Sequence, residues 1–234
     1  MIRILLWDID GTLIRTRRDG VFRDFTRPVL TRVFGTAGRL DEVDASGMTD
    51  LQIVSEALRD EGYTHERVRE RAAELWGCFY EEMERLTRGE EAYYALPGAR
   101  EALEAVAALP RYRSALLTGN VERAAYLKLR LVGLEGFFRL PGAFGEDSHD
   151  RRDLPALAAE RIGRHLKLQL EPRQFIVIGD TPNDIACAKH FGARAVAVAT
   201  GRSHPAEALL PHGPDALLPD LTDTARLLRV LDSM

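Results

Sequence analysis

The sequence predicts an α/β protein built on an open, doubly wound parallel sheet, with a helical domain inserted after the first strand. Three observations carry that expectation. Residues 2–7 (IRILLW), 114–118 (SALLT), 175–179 (FIVIG) and 195–200 (AVAVAT) are short and apolar nearly throughout, as strands are when helices cover both faces of a sheet. Helical patterns separate the last three of these segments. Between the first and the second lies a stretch far longer than one crossover needs, most of it helical in pattern.

Taken in order, the first strand ends in Asp8-Ile9-Asp10. Apolar stripes follow at Phe22, Phe25, Val29, Leu30, Val33 and Phe34, ending at Gly35, and at Leu51, Val54 and Leu58 after a possible Thr49 cap. In residues 65–89, Val68, Ala72, Leu75, Trp76, Phe79, Tyr80, Met83 and Leu86 recur at steps of three and four, which predicts one long amphipathic helix with Trp76 to Tyr80 in the core of the insertion. The insertion is therefore expected over residues 17–92, and the α/β core over residues 1–16 and 93–234. Within the core, a helix over 97–109 follows a Pro-Gly turn, one over 121–133 ends at Gly133, and one over 183–192 stops at Gly192.

Composition narrows the function. Hydrophobic residues make up 45% and charged residues 29% of the 234-residue chain, ordinary for a globular protein. A net charge of −4 without a Lys/Arg run speaks against a nucleic-acid partner and for a small substrate. Cys78 and Cys187 lie far apart, with neither a CxxC spacing nor a His cluster, so zinc and thiol-redox chemistry fall away and a reducing compartment fits. The N-terminal apolar run is too short for a signal-peptide core or a membrane span. The expectation is a cytoplasmic protein with no membrane partner, a monomer or a homodimer.

The chemistry is expected at the carboxyl ends of the strands, where loops of a parallel sheet converge and helix N-termini point. Those ends read Asp8-Ile9-Asp10-Gly11-Thr12, Thr118-Gly119-Asn120 and Gly179-Asp180-Thr181-Pro182-Asn183-Asp184. Each piece alone also fits a turn or a helix cap; together they bring four acids to one sheet edge. Two carboxylates about 4 Å apart repel by about 4 kcal/mol at an effective dielectric near 20, so such a group needs a cation or protonation. With oxygen ligands alone and no His or Cys in the loops, a hard ion such as Mg²⁺ suits the set.

On WDIDGTL, LLTGN and VIGDTPNDIACA the chain resembles the haloacid dehalogenase superfamily of hydrolases over essentially its whole length. The helical insertion resembles the cap of the phosphoglycolate phosphatase-like and β-phosphoglucomutase-like branch on its Rossmann-like core. The resemblance implies that Asp8 is the nucleophile, forming an aspartyl-phosphate, and that Asp10 is the general acid and base. It implies Mg²⁺ held by Asp8, the Asp10 backbone carbonyl and Asp180, with Asp184 orienting metal waters or the nearby base. Thr118 and the Gly119 amide would bind phosphoryl oxygens beside Asn120, and Gly11 and Thr12 would let backbone N–H groups approach them.

The family usually places a lysine upstream of the last acidic motif. Of the three lysines, Lys189 lies beyond the Asp184 motif, Lys167 near the wrong end of the sheet and Lys128 midway along a helix, so none fits. Arg151, in the segment 142–158, is expected in its place, with Arg152 next to it. An acid at the position of Asp10 separates phosphatases from dehalogenases in the family, so a small phosphorylated metabolite is the expected substrate. A phosphomutase is the nearest alternative; a receiver-type signalling module is a more distant one, since its phosphoacceptor follows an inner strand and it lacks a helical insertion. Arg15, Arg17 and Arg18, or the turn Ser46 to Asp50 with Thr49, are placed to contact an anionic leaving group.

Overall fold

The computed structural model describes residues 2–89 and 91–234. The chain begins with β1 (Arg3–Trp7) and β2 (Ile14–Thr16), then runs through α1 (Val21–Phe34), α2 (Asp50–Leu58), α3 (His65–Glu70) and α4 (Ala72–Thr87) before returning on β3 (Tyr93–Ala95). It continues with α5 (Ala99–Ala107), β4 (Tyr112–Leu116), α6 (Glu122–Leu131), α7 (Leu154–Leu166), β5 (Phe175–Gly179) and α8 (Pro182–Phe191). The last elements are β6 (Arg194–Val198), α9 (Ala206–Leu209), β7 (Ala216–Leu218) and α10 (Thr224–Ser233).

Five strands form one parallel sheet in the order β4-β1-β5-β6-β7. Alternate side chains of each strand enter opposite cores. Leu5 and Trp7 of β1 join Ile176, Ile178, Val196 and Val198 on the face covered by α5, α6 and α10. Ile4 and Leu6 join Phe175, Val177, Ala195 and Ala197 on the face covered by α7 and α8. Because β4 and β5 flank β1, the connections leave β1 toward opposite sides, and a crevice opens beyond its carboxyl end.

The inserted helices leave and return through a two-stranded antiparallel ribbon in which Ile14 pairs with Ala95 and Thr16 with Tyr93. Their core is aromatic: Phe25 meets Phe79 edge-on at 4.9 Å and Trp76 meets Phe79 at 6.0 Å. The single helix expected over 65–89 is two. Helical geometry breaks at Arg71 (φ −102, ψ 10), and the break lets its guanidinium reach the Val33 carbonyl in the last turn of α1 and lie 5.4 Å over the Phe34 ring. No helix among the described residues is long and apolar enough to cross a membrane.

The insertion is seated on the sheet's carboxyl edge. The Asp50 N–H donates to the Gly119 carbonyl at 2.6 Å, the Asn183 side chain to the Ser46 carbonyl at 3.3 Å, and the His65 and His149 rings stack at 4.5 Å. A Cβ at position 119 would lie 1.9 Å from the Met48 carbonyl oxygen, so only glycine allows this approach.

Candidate active site

Ladder hydrogen bonding extends one residue past β1, where the Asp8 N–H donates to the Ile178 carbonyl at 2.9 Å, and this fixes Asp8 at the floor of the crevice. There Asp8, Asp180 and Asp184 each offer a carboxylate oxygen within 4.8 Å of the others, and all three residues are buried. Arg151 enters from the short turn before α7. Its Nη2 donates to Asp8 Oδ1 at 2.8 Å and to Asp184 Oδ1 at 2.6 Å. Only 6% of the Arg151 side chain is exposed, whereas Arg152 turns outward to pair with Asp150 at 2.6 Å.

Local structure holds each acid of the floor. Asp184 is the third residue of α8, and its Oδ2 accepts the Thr181 N–H at 3.0 Å and the Thr181 hydroxyl at 2.7 Å, while Thr181 Oγ1 caps the helix in return. Asp180 Oδ1 accepts the Thr12 hydroxyl at 2.9 Å. Gly11 has φ +89, and a Cβ there would lie 2.3 Å from Asp180 Oδ2. Gly11 and Thr12 thus serve Asp180, and their own amides are engaged within the turn. The Gly11 N–H is spent on the Ile14 carbonyl at 2.9 Å and the Thr12 N–H on the Ile9 carbonyl at 3.3 Å, within the turn itself.

Burial makes this floor electrostatically unbalanced. Loss of water and the neighbouring Asp184 push the Asp8 carboxyl up to about 7 despite Arg151, and burial together with Asp8 holds Asp180 well above the usual carboxylate range. Three carboxylates face one guanidinium. A hard divalent ion would neutralise the excess, and the all-oxygen donor set fits it. Burial raises the thiol of the neighbouring Cys187 to about 12.

Asp10 lies to one side with 42% of its side chain exposed. Its Oδ2 accepts Asn120 Nδ2 at 2.7 Å and Lys128 Nζ at 2.7 Å. Arg151, not Lys128, stands beside Asp8; Lys128 Nζ instead reaches Asp10 from α6, with only 7% of its side chain exposed. Burial lowers the pKa of this ammonium, but Asp10 above all, with Tyr93, keeps it raised. The signal was present in the sequence. Lys128 falls four residues after Ala124 and three after Ala125, inside the apolar stripe of α6 and not on its solvent face.

Two backbone donors and one hydroxyl converge beside the acids. Among the described residues the N–H groups of Asp10 and Gly119 donate to no protein acceptor. Thr118 Oγ1 accepts Asn120 Nδ2 at 2.7 Å and the Asn120 N–H at 3.3 Å, so its own proton remains for a ligand. These groups line a cavity of about 390 Å³ between sheet edge and insertion, with apolar walls from Ile14, Leu40, Val43 and Ile53.

Thr49 does not line that cavity. It is fully buried; its hydroxyl accepts the Gln52 N–H at 3.1 Å as the cap of α2 and lies 3.4 Å from the His149 carbonyl. Of the three arginines after the first motif, Arg15 lines the cavity and donates to the Thr200 carbonyl. Arg17 pairs with Glu91 at 2.7 Å and Arg18 with Asp24, both at the surface. Asp50, at the start of α2, is also in the wall; its Oδ2 accepts the Val121 N–H at 2.9 Å, and burial pushes its carboxyl up to about 7.

Comparison with known proteins places these observations in context. A family model described as haloacid dehalogenase-like hydrolase matches residues 2–192. The chain is 25% identical to the pyrophosphatase PpaX of Anoxybacillus flavithermus over 98% of both chains. It is also 25% identical to a phosphoglycolate phosphatase of Vibrio vulnificus, over 87% of this chain and 86% of that one. Among solved structures, CbbY from Rhodobacter sphaeroides in complex with phosphate superposes with a TM-score of 0.68 at 18% identity, over 95% of this chain and 96% of that one, a likeness of fold.

Proposed function

Because the chain belongs to the haloacid dehalogenase-like hydrolase family, we propose that it is a Mg²⁺-dependent phosphatase of a small phosphate monoester, acting through an aspartyl-phosphate at Asp8. One observation carries this reading: Asp8 sits at the cavity floor, its Oδ1 gripped by Arg151, with two further buried acids within 4.8 Å and Asp10 two residues on. The names of relatives that are phosphatases support the same reaction class.

In this reading an Asp8 oxygen forms a bond to phosphorus as the ester P–O bond breaks. The electron pair passes to the leaving oxygen, which takes a proton from Asp10. Water then attacks the phosphorus of the aspartyl-phosphate while Asp10 takes up its proton, and phosphate and the Asp8 carboxylate are released. The Asp10 and Gly119 N–H groups and the Thr118 hydroxyl receive the phosphoryl oxygens, and Arg151 offsets the charge on nucleophile and phosphate. Asp8, Asp180, Asp184 and the Asp10 carbonyl would hold Mg²⁺, which supplies charge neutralisation between the carboxylate and the dianionic ester. We assign residues 17–92 the role of a cap that closes over the phosphate and excludes competing water.

The test is a screen of phosphorylated metabolites and p-nitrophenyl phosphate with Mg²⁺ and with EDTA. Steady release of phosphate in Mg²⁺ alone, abolished by Asp8→Asn, is expected. Sugar phosphate isomerised without free phosphate would replace the phosphatase by a phosphomutase, and turnover by Asp8→Asn equal to wild type would end the reading.

A further inference from the structure

We propose that Lys128 is a positioning residue for Asp10: with Asn120 it occupies Oδ2, so that Oδ1 is the oxygen that carries and delivers the proton. The inference rests on the reading of Asp10 as general acid and base.

The geometry is specific. Lys128 Nζ donates to Asp10 Oδ2 at 2.7 Å and to Asn120 Oδ1 at 2.5 Å, and it lies 5.6 Å over the Tyr93 ring. By accepting from Lys128, the Asn120 amide is fixed with its oxygen toward α6 and its NH₂ toward Asp10 Oδ2 and Thr118 Oγ1, each at 2.7 Å. Among the described residues no donor reaches Asp10 Oδ1. An oxygen that already accepts two hydrogen bonds has no room for a proton of its own, so a protonated Asp10 bears it on Oδ1. The Asp10 side chain lines the cavity and is 42% exposed.

Ordering a long, flexible side chain in a buried place is costly unless its charge is matched, and here the match is Asp10 itself. Lys128 makes no contact with the floor acids among the described residues; its partners are Asp10, Asn120 and the Tyr93 ring. One continuous segment, from the end of β4 into α6, carries Thr118, Asn120 and Lys128, so the group that receives the phosphoryl oxygen and the group that aims the acid share a single mount.

In the first step the Asp8–phosphorus bond forms, the ester P–O bond breaks, and the proton moves from Asp10 Oδ1 to the leaving oxygen. A poor leaving group depends on that proton, and p-nitrophenolate does not. The experiment therefore compares Lys128→Met with wild type on substituted phenyl phosphates of one shape, from phenyl to p-nitrophenyl phosphate. Expected is a fall in kcat/KM of about 10²-fold for phenyl phosphate, the order of a lost or misaimed general acid, and of less than about threefold for p-nitrophenyl phosphate. Because Asp10 also serves the water step, p-nitrophenol should appear in a burst equal to the enzyme. Lys128→Arg should recover part of the loss on phenyl phosphate.

A merely structural lysine would lower kcat/KM for every ester by the same factor and give no burst, and that result overturns the proposal. Should Lys128→Met not fold, Lys128→Gln is read on the same series with the same two outcomes. Asp10→Asn on that series separates the two layers. Its full activity on phenyl phosphate would remove the acid–base reading, whereas its inactivity beside a uniform loss in Lys128→Met would remove the positioning role alone.

Discussion

Asp8 and Asp10 are neighbours but one, yet the protein treats them differently. Among the described residues, the floor around Asp8 packs three buried acids against Arg151 alone. The flank around Asp10 gives a half-exposed carboxylate its own ammonium and an amide, and among the described residues no donor reaches its other oxygen. The floor is short of positive charge, three acids to one guanidinium, whereas on the flank Asp10 has an ammonium in direct contact and the buried Asp50 lies behind it. A region short of charge recruits an ion and an anionic substrate; a directly paired carboxylate keeps its geometry whether or not a ligand is present.

The largest effect should come from the floor itself. Asp8→Asn removes the proposed nucleophile and is expected to lower kcat by more than about 10⁴-fold, measured as phosphate release on the best substrate. Arg151→Ala takes away the one guanidinium and should cost about 10²- to 10³-fold in kcat, the scale of a lost transition-state donor. Turnover of Arg151→Ala near wild type would show that the floor does not depend on its cation.

Metal sharpens the contrast next. Saturating Mg²⁺, at about 100 times its Kd, should stabilise the wild type by about 2.7 kcal/mol, read as a rise in Tm. Asp180→Asn should abolish that rise, while Asp50→Asn on the flank should retain it. An equal response in both variants would erase the distinction between the two regions.

The smallest effect concerns Asp50. Burial raises its folded pKa to about 7, above its unfolded value. The stability this shift contributes is fully present below the unfolded pKa and is lost as pH rises toward about 7. Asp50→Asn should therefore flatten the decline in Tm between about pH 4 and 7. A slope unchanged from wild type would mean that Asp50 already carries its charge without penalty.

Much of this was legible in the chain. The sheet's inner strands announce themselves because burial on both faces removes polar residues, although β4 begins two residues earlier than expected, at Tyr112, where the exposed Arg113 interrupts the apolar run. The floor acids were legible because they follow those strands, and a buried strand end with acids has few explanations. Strands of three residues, as in the ribbon and β7, carry too little alternation to declare a period. The break at Arg71 was hidden because Val68 and Leu75 keep helical spacing across it. Lys128 was missed through its residue type: a lysine in a helix ordinarily faces water, and only its place in the apolar stripe argued otherwise.

The ribbon of Ile14–Thr16 and Tyr93–Ala95 has a consequence for the molecule's history. Since Thr16 and Tyr93 already stand side by side, whatever chain is spliced between them begins and finishes at the same spot, and lengthening it costs little closure entropy. The sheet's ladder contains none of the spliced residues, so the roof over the acids can be exchanged wherever the new chain reproduces the contacts at Gly119 and Val121.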